Sequence, residues 1–415
     1  MASQGGSAMK YAVWFVRLIF AAWMIPAGVN HFIRLFPQPM GTQPLSHELI
    51  VALLDSHLFD LVKLVELIAG IGVLTGFQLP LTLVLCMPVS FCVWYWDTPL
   101  EGWGSGASYF GSAVLICNVL LCLAYIRNYA SMFTLRPRPR APGAAPSARY
   151  LVLAAQVIFG AWMLVNGLNH FFLSLYPLPT GSEPLAVQLM TALVHSRLID
   201  VAMAIQLVGG ALILAGLFVP LALCVVMPVS VCAAYWAVIL EHQPLGALLA
   251  LIAVALNGFL MLAYIGYYKG VLERRALTVG ETAEDNGSFD SVYATIGGST
   301  DRGPYIGALI TLIAAYVFYY VLVQSRTGLW CELMLLFPAV VLLARRLRDM
   351  EKSPWLLILP VALLIVTFWF KLDKAVSTTE TAVTVAAVVV SVGFMLWGLI
   401  GKGQITARQF GKAAE

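Results

Sequence analysis

Gly28-Val-Asn-His-Phe32 closes the first apolar run of the chain, and Gly167-Leu-Asn-His-Phe171 closes a later one, 139 residues on. An Asn-His pair is costly among apolar residues, because an unpaired polar group in hydrocarbon costs about several kcal/mol. Its return in the same context indicates two copies of one membrane unit. The correspondence continues after one inserted residue, at a separation of 140. Pro37-Gln-Pro39 matches Pro177-Leu-Pro179, Gly41 matches Gly181, Pro44 matches Pro184 and Asp60 matches Asp200. Gly70, Gly76 and Pro80 pair with Gly210, Gly216 and Pro220. Met87-Pro-Val-Ser90 returns as Met227-Pro-Val-Ser230, and Tyr95-Trp96 and Glu101 as Tyr235-Trp236 and Glu241.

Composition sets the surroundings of this repeat. Of 415 residues, 60% are hydrophobic and only 11% charged, against about 25% charged in a soluble domain. Too little polar surface exists to cover a water-soluble body of this size, so the lipid bilayer is the expected partner. The net charge is +3 and no Lys/Arg block resembles a nucleic-acid patch, so nucleic acid is not implied. The first apolar segment runs on to about residue 33, too long for a secretory h-region of about 7–15 residues, and reads as a retained span. The seven cysteines form no CxxC and no Cys/His spacing suited to zinc, and no metal is expected.

Apolar runs near the ~20 residues needed to span the bilayer core fall near 11–34, 59–77, 79–97 and 108–127, then 149–173, 198–217, 219–239 and 245–267, then 305–324, 329–345, 354–371 and 380–400. The expected fold is an all-α polytopic membrane protein of about twelve transmembrane helices in three four-helix units. The units cover 1–135, 148–277 and 304–415, with a Pro/Arg/Ala-rich linker at 136–147 and a polar, acidic cytoplasmic linker at 278–303. Four spans per unit is an even number, so the first two units form a parallel repeat about an axis along the membrane normal. Arg127, Arg136, Arg138, Arg140 and Arg149, then Lys269, Arg274 and Arg275, then Arg345, Arg346, Arg348 and Lys352, then Lys402, Arg408 and Lys412 all fall on one side. By the positive-inside rule that side is the cytoplasm, with both termini inside.

This topology gathers His31, Asp60, Lys63, Glu66, Tyr95 and Glu101 in the outer half of the first unit, with Asn30 and Trp96 beside them. Lys63 and Glu66 share a helix face at i+3 spacing. The second unit offers Asn169, His170, Asp200, Gln206, Tyr235, Trp236 and Glu241. There Met203 replaces Lys63 and Gln206 replaces Glu66, so the first unit alone keeps an ionisable pair and is the one expected to act. An ionisable residue within a span is a functional candidate by default. Plainer readings stand beside this one. Lys63 and Glu66 pair with each other or snorkel, the Asn-His pairs lock helix packing, and the Tyr-Trp pairs form an interfacial belt. Axial haem ligation by His31 and His170 lacks a second histidine on a facing span of either unit.

The run Leu58-Phe-Asp-Leu-Val-Lys-Leu-Val-Glu-Leu-Ile-Ala-Gly-Ile-Gly-Val-Leu-Thr-Gly76 resembles the DoxX-like family of four-helix bacterial membrane proteins. So do the Gly28–Phe32 stretch, the Pro37-Gln-Pro39 loop and Leu79-Pro-Leu-Thr-Leu-Val-Leu-Cys-Met-Pro88. The second unit matches more loosely, since the second-span Glu of the family is Gln206 here. That resemblance implies a four-helix fold and, for some members, quinone-linked oxidation of sulfur compounds or resistance to thiols and quinones. Arg345-Arg-Leu-Arg-Asp349 followed by Ser353-Pro-Trp355 resembles the domain-of-unknown-function 805 family, with Arg348 for its His and Pro354 for its Gly. Arg345, Arg346 and Asp349 are expected to form a charge cluster at the cytoplasmic surface, anchoring topology or meeting anionic lipid.

Three functions follow as expectations. The first is an inner-membrane redox component, quinone- or thiol-linked, holding a small amphipathic molecule in the outer leaflet. His31, Glu66 and Lys63 would carry its protons, and electrons would come from a redox partner or from the substrate. The second is a proton-coupled small-solute transporter. The third is a non-catalytic scaffold in an envelope complex. No flavin, haem, nickel or iron–sulfur motif is visible, and a quinone is the one cofactor the first reading allows.

Overall fold

A computed structural model describes residues 2–139, 146–278, 293, 298–322, 330–373 and 378–403. Residues 140–145 of the first expected linker, most of the second, and Arg408 and Lys412 lie outside the described residues. Among the described residues every regular element is helical. In chain order they are α1 (Ala2–Ile33), α2 (Pro44–Asp55), α3 (Leu58–Thr75), α4 (Leu79–Tyr95), α5 (Gly106–Ala124), the single turn α6 (Ile126–Tyr129), α7 (Pro146–Leu168), α8 (Pro184–His195), α9 (Leu198–Ala215), α10 (Val219–Tyr235) and α11 (Pro244–Ala263). The last four are α12 (Arg302–Leu322), α13 (Trp330–Asp349), α14 (Ile358–Asp373) and α15 (Thr378–Ile400).

Nine described helices are long and apolar enough to cross a membrane. The chain is therefore a multi-pass membrane protein by length and composition. Three of the twelve expected runs are helical but not among the nine. α3 carries Asp60, Lys63 and Glu66 within eighteen residues, α13 ends in Arg345, Arg346, Arg348 and Asp349, and the apolar stretch Pro354–Phe370 is shorter.

The matched stretches of sequence adopt matched elements. α2 and α8 are twelve residues each and open on a proline in the first turn, where a missing N–H costs nothing. α3 and α9 are eighteen residues each, and α4 and α10 seventeen, with Pro88 and Pro228 inside the latter pair. Each of α4 and α10 runs into a short π-helical segment, Trp96–Leu100 and Trp236–Glu241.

Compactness divides the chain into two units. One comprises 1–37, 70–77 and 277–415. In it α1 packs along α12 and α13. Tyr319 Oη donates to Ala22 O at 3.1 Å, and the Trp14 ring lies 4.7 Å from that of Tyr293. Gly70 of α3 sits against Met24 and Ile25, where a Cβ would come within 3.0 Å of Ile25 N. The other unit comprises 38–69 and 78–276. In it α9 packs along α7, closely enough that a Cβ on Gly210 would strike the backbone of Leu164. Small residues permit this approach, which is how apolar helices gain van der Waals contact without a hydrophobic driving force.

Candidate functional site

In the second compact unit, α2 and α8 lie side by side over a shared apolar cluster of Leu49, Ala52, Leu58, Ala186, Leu189, Ala192 and Leu240. Polar contacts bind this pair in matched sets. Tyr95 Oη donates to Ser196 O at 2.7 Å, and Tyr235 Oη to Ser56 O at 2.8 Å. His195 Nδ1 meets Glu48 Oε1 at 2.9 Å, and Gln188 Nε2 donates to Asp55 Oδ2 at 2.8 Å. Positions 48 and 188 correspond in the repeat, as do 55 and 195. The same two positions therefore meet twice, with partners exchanged.

The expected aromatic and acidic residues are engaged in this end of the unit. Trp96 Nε1 donates to Ser46 O at 2.8 Å, and Trp236 Nε1 to Ala186 O at 3.0 Å. Glu101 accepts from Thr42 N at 2.8 Å, from Thr42 Oγ1 at 2.6 Å and from Ser46 Oγ. Partial burial opposes the charge on Glu101. The hydrogen bonds from Ser46, from Thr42 and from the backbone N–H groups of Thr42 and Gln43 outweigh it and hold the carboxyl below its ordinary value. Glu241 clamps the matching loop, accepting from Ser182 N at 2.8 Å and Ser182 Oγ at 2.7 Å. Each carboxylate thus closes the loop that leads into α2 or α8.

The Asn-His pairs divide. Asn30 Oδ1 accepts from Phe36 N at 2.7 Å in the first compact unit, and Asn169 Oδ1 from Leu175 N at 2.6 Å in the second. Both amides cap the chain as it leaves a long helix, satisfying N–H groups that would be orphaned there. His170 Nε2 meets Asp200 Oδ1 at 2.8 Å. Asp60 Oδ2 meets Nδ1 of His57, in the turn just before α3, at 3.0 Å. His31 lies in the first compact unit with its ring against Phe32, whereas Asp60, Lys63, Glu66, Tyr95 and Glu101 lie in the second.

Lys63 and Glu66 are the buried charges of the second unit's α3 segment. Their side chains are 7% and 1% exposed, and Lys63 Nζ donates to Glu66 Oε2 at 2.7 Å. The ammonium also lies 4.8 Å from the centre of the Phe59 ring. Glu66 Oε1 is buried and has no hydrogen-bond partner among the described residues. At the matched position Gln206 is buried as well, and its Oε1 likewise has no partner. Lys63 and Glu66 thus pair with each other, and the matched positions differ in charge while both are buried.

The C-terminal cluster differs from its expected surface position. Arg345, Arg346 and Asp349 are 4%, 0% and 1% exposed. Arg346 pairs with Asp349 and donates to Gly398 O at 2.9 Å and Gly401 O at 2.7 Å. Its guanidinium thus covers the unpaired carbonyls at the end of α15, the fork geometry meeting several acceptors at once. Arg345 Nε donates to Thr300 Oγ1 at 3.0 Å. An arginine in a sequence reads as surface unless a partner is known, and apart from Asp349 these acceptors lie about fifty residues away.

Arg17 is among the buried charges that escaped the sequence reading. Arg17 of α1 is 1% exposed, donates through Nε to Val73 O at 3.0 Å, and lies 3.9 Å over the Trp14 ring. Its matched residue Gln156 donates to Ile213 O at 2.7 Å. The signal was present in the repeat: position 17 aligns with 156 and both residues are long hydrogen-bond donors. Among the described residues no group of three or more His, Cys, Asp or Glu is placed to hold a metal ion. No family model, curated protein or solved structure matches the chain.

Proposed function

We propose that the chain is a bacterial inner-membrane protein with both termini cytoplasmic, built as two parallel DoxX-like four-helix units and a third helical domain. It acts on a small amphipathic molecule, a quinone or a thiol-derived compound, through a proton-exchanging site at Lys63 and Glu66. One observation carries this reading: a buried Lys-Glu pair on an apolar helix, with Glu66 Oε1 unpartnered among the described residues. Taking two charges out of water costs several kcal/mol per ion, roughly, and good pairing only offsets that. A chain that carries the pair where its own second copy has Met203 and Gln206 gains something other than stability. Glu66 exchanges the proton, Lys63 bonds its Oε2, and Oε1 is the atom that meets the ligand.

The test is turnover of a thiol or sulfite donor with a soluble quinone by purified protein. Glu66→Gln abolishes it, and so does Lys63→Met/Glu66→Gln, which removes the charge without stranding Lys63. Absence of turnover in the unaltered protein overturns the reading. Proton-coupled solute uptake into proteoliposomes, lost in the same double variant, would establish a transporter in its place.

A second reading has its own support. Tyr95, Trp96, Glu101, Asn30 and their counterparts all place their polar atoms on loops or backbone. That is the use a scaffold makes of such residues. Copurification with a stable envelope partner, and no intrinsic turnover, would favour it.

A further inference from the structure

The second copy of the repeat contains a set of buried polar atoms that the reading above does not use. Gln206 Oε1 on α9, Ser230 Oγ on α10, and both Nδ2 and Oδ1 of Asn257 on α11 are buried and have no hydrogen-bond partner among the described residues. The residues are 7%, 5% and 0% exposed. Leaving such an atom unpaired is costly, and native structures rarely leave several together.

The packing brings the three level with one another. α9 and α10 are antiparallel neighbours joined through Gly216, Leu217 and Phe218. Their close approach is at Gly209, where an added Cβ would strike Val226. Gln206 lies one turn before Gly209, and Ser230 one turn after Val226. In an antiparallel pair those two steps run in the same direction. α11 packs on α10 and buries a single stripe, Ala253, Asn257 and Leu260, with Asn257 at its centre. The first copy shows what this register does: Asn118 on α5 and Ser90 on α4, the matched positions, are hydrogen-bonded at 2.9 Å. With its amide turned, Asn118 also reaches Leu83 O and Met87 N. The first copy thus satisfies its own amide and hydroxyl, and its acid is paired with Lys63. The second copy has the same three positions and none of these bonds.

We propose that Gln206, Ser230 and Asn257 form a binding site for the uncharged, carbonyl- or hydroxyl-bearing head of a lipid-soluble molecule. An amide, a second amide and a hydroxyl both donate and accept, so they match a neutral oxygen-containing head. Residues 201–240 and 244–263 contain no Asp, Glu, Lys, Arg or His, so these stretches of α9, α10 and α11 offer a charged head no counter-ion. Entry from the lipid phase suits a site whose walls are apolar helices.

Equilibrium binding of radiolabelled decylubiquinone to the full chain in detergent tests this, with thermal unfolding measured in parallel. Asn257→Leu and Ser230→Ala each raise the dissociation constant about tenfold, as expected for loss of a buried hydrogen bond to the head group. Ser230→Ala is the milder change and keeps the test alive if Asn257→Leu does not fold. Unchanged binding in folded variants overturns the proposal. If they also melt higher, the polar atoms are simply unsatisfied; if they melt lower, water alone fills the site. No binding by the unaltered protein overturns it too. The Lys63–Glu66 reading is scored separately, by turnover, so either can fail without the other.

Discussion

The two matched stretches of sequence share the lengths of their corresponding helices and differ in the polar groups they bury. In the first, Lys63 and Glu66 form a buried ion pair and Asn118 bonds to Ser90. In the second, Met203 and Gln206 stand at the first two positions, and Gln206, Ser230 and Asn257 keep unpartnered atoms. Around these interiors the loop clamps, aromatic hydrogen bonds and long-helix caps are duplicated almost bond for bond. Duplicated contacts report what the architecture requires. Contacts present in one copy only report what each interior has been adapted to do.

The largest expected effect tests the charged interior. Lys63→Met alone strands Glu66 as a buried unpaired acid and lowers stability by about 3–5 kcal/mol. Lys63→Met/Glu66→Gln gives the first copy the residues of the second and restores most of that loss. Thermal unfolding in detergent reads both; a single variant as stable as its parent would show that the pair is not buried in the folded protein.

Next comes the packing comparison. Gly210→Ala pushes a methyl into the backbone of Leu164, while Gly70→Ala first meets the side chain of Ile25 at 2.8 Å. Backbone cannot rotate aside as a side chain can. Gly210→Ala is therefore expected to cost about 1–3 kcal/mol, and Gly70→Ala less. The reverse order in the same unfolding assay would contradict the packing described for α7 and α9.

A smaller and equal effect is expected across α2 and α8. Tyr95→Phe and Tyr235→Phe each remove one hydrogen bond to a backbone carbonyl, about 1 kcal/mol apiece. Unequal losses would mean that only one of the two matched contacts forms.

The smallest effect is a pH dependence. The carboxyl of Glu101 is held below its ordinary value of 4.5 in the folded chain. The stabilisation it contributes is complete above the unfolded value and is lost as pH falls through the lower, folded one. Hydrogen exchange at Thr42 and Gln43 is expected to quicken as the medium is acidified below pH 4.5, after correction for intrinsic rates. Glu101→Gln should remove that dependence, and an unaltered profile in the variant would assign it to another group.

The helices and their repeat were legible because they rest on local pattern: apolar runs, prolines at helix starts, and matched residues at fixed separation. The Lys63–Glu66 pair was legible for the same reason, since i+3 spacing is local. The uses of Tyr95 and Tyr235 were not. Each reaches the opposite half of the repeat, over a hundred residues away, and nothing near either residue names the acceptor. Arg346 was read as a surface charge because its acceptors at the end of α15 are equally remote. The packing partners of α1 were illegible as well: it lies along α12 and α13, a choice among apolar faces of similar character.

By itself, then, the sequence determined an all-helical membrane chain and the Lys63–Glu66 pair, because hydropathy, proline and residue spacing act within a turn or two. Tertiary structure decided which polar groups are satisfied. Whether an amide, a hydroxyl or a carboxylate is paired depends on what another helix brings opposite it, and that is a property of packing. Ser90 and Asn118 end bonded to each other, while their counterparts Ser230 and Asn257 keep unpartnered atoms among the described residues.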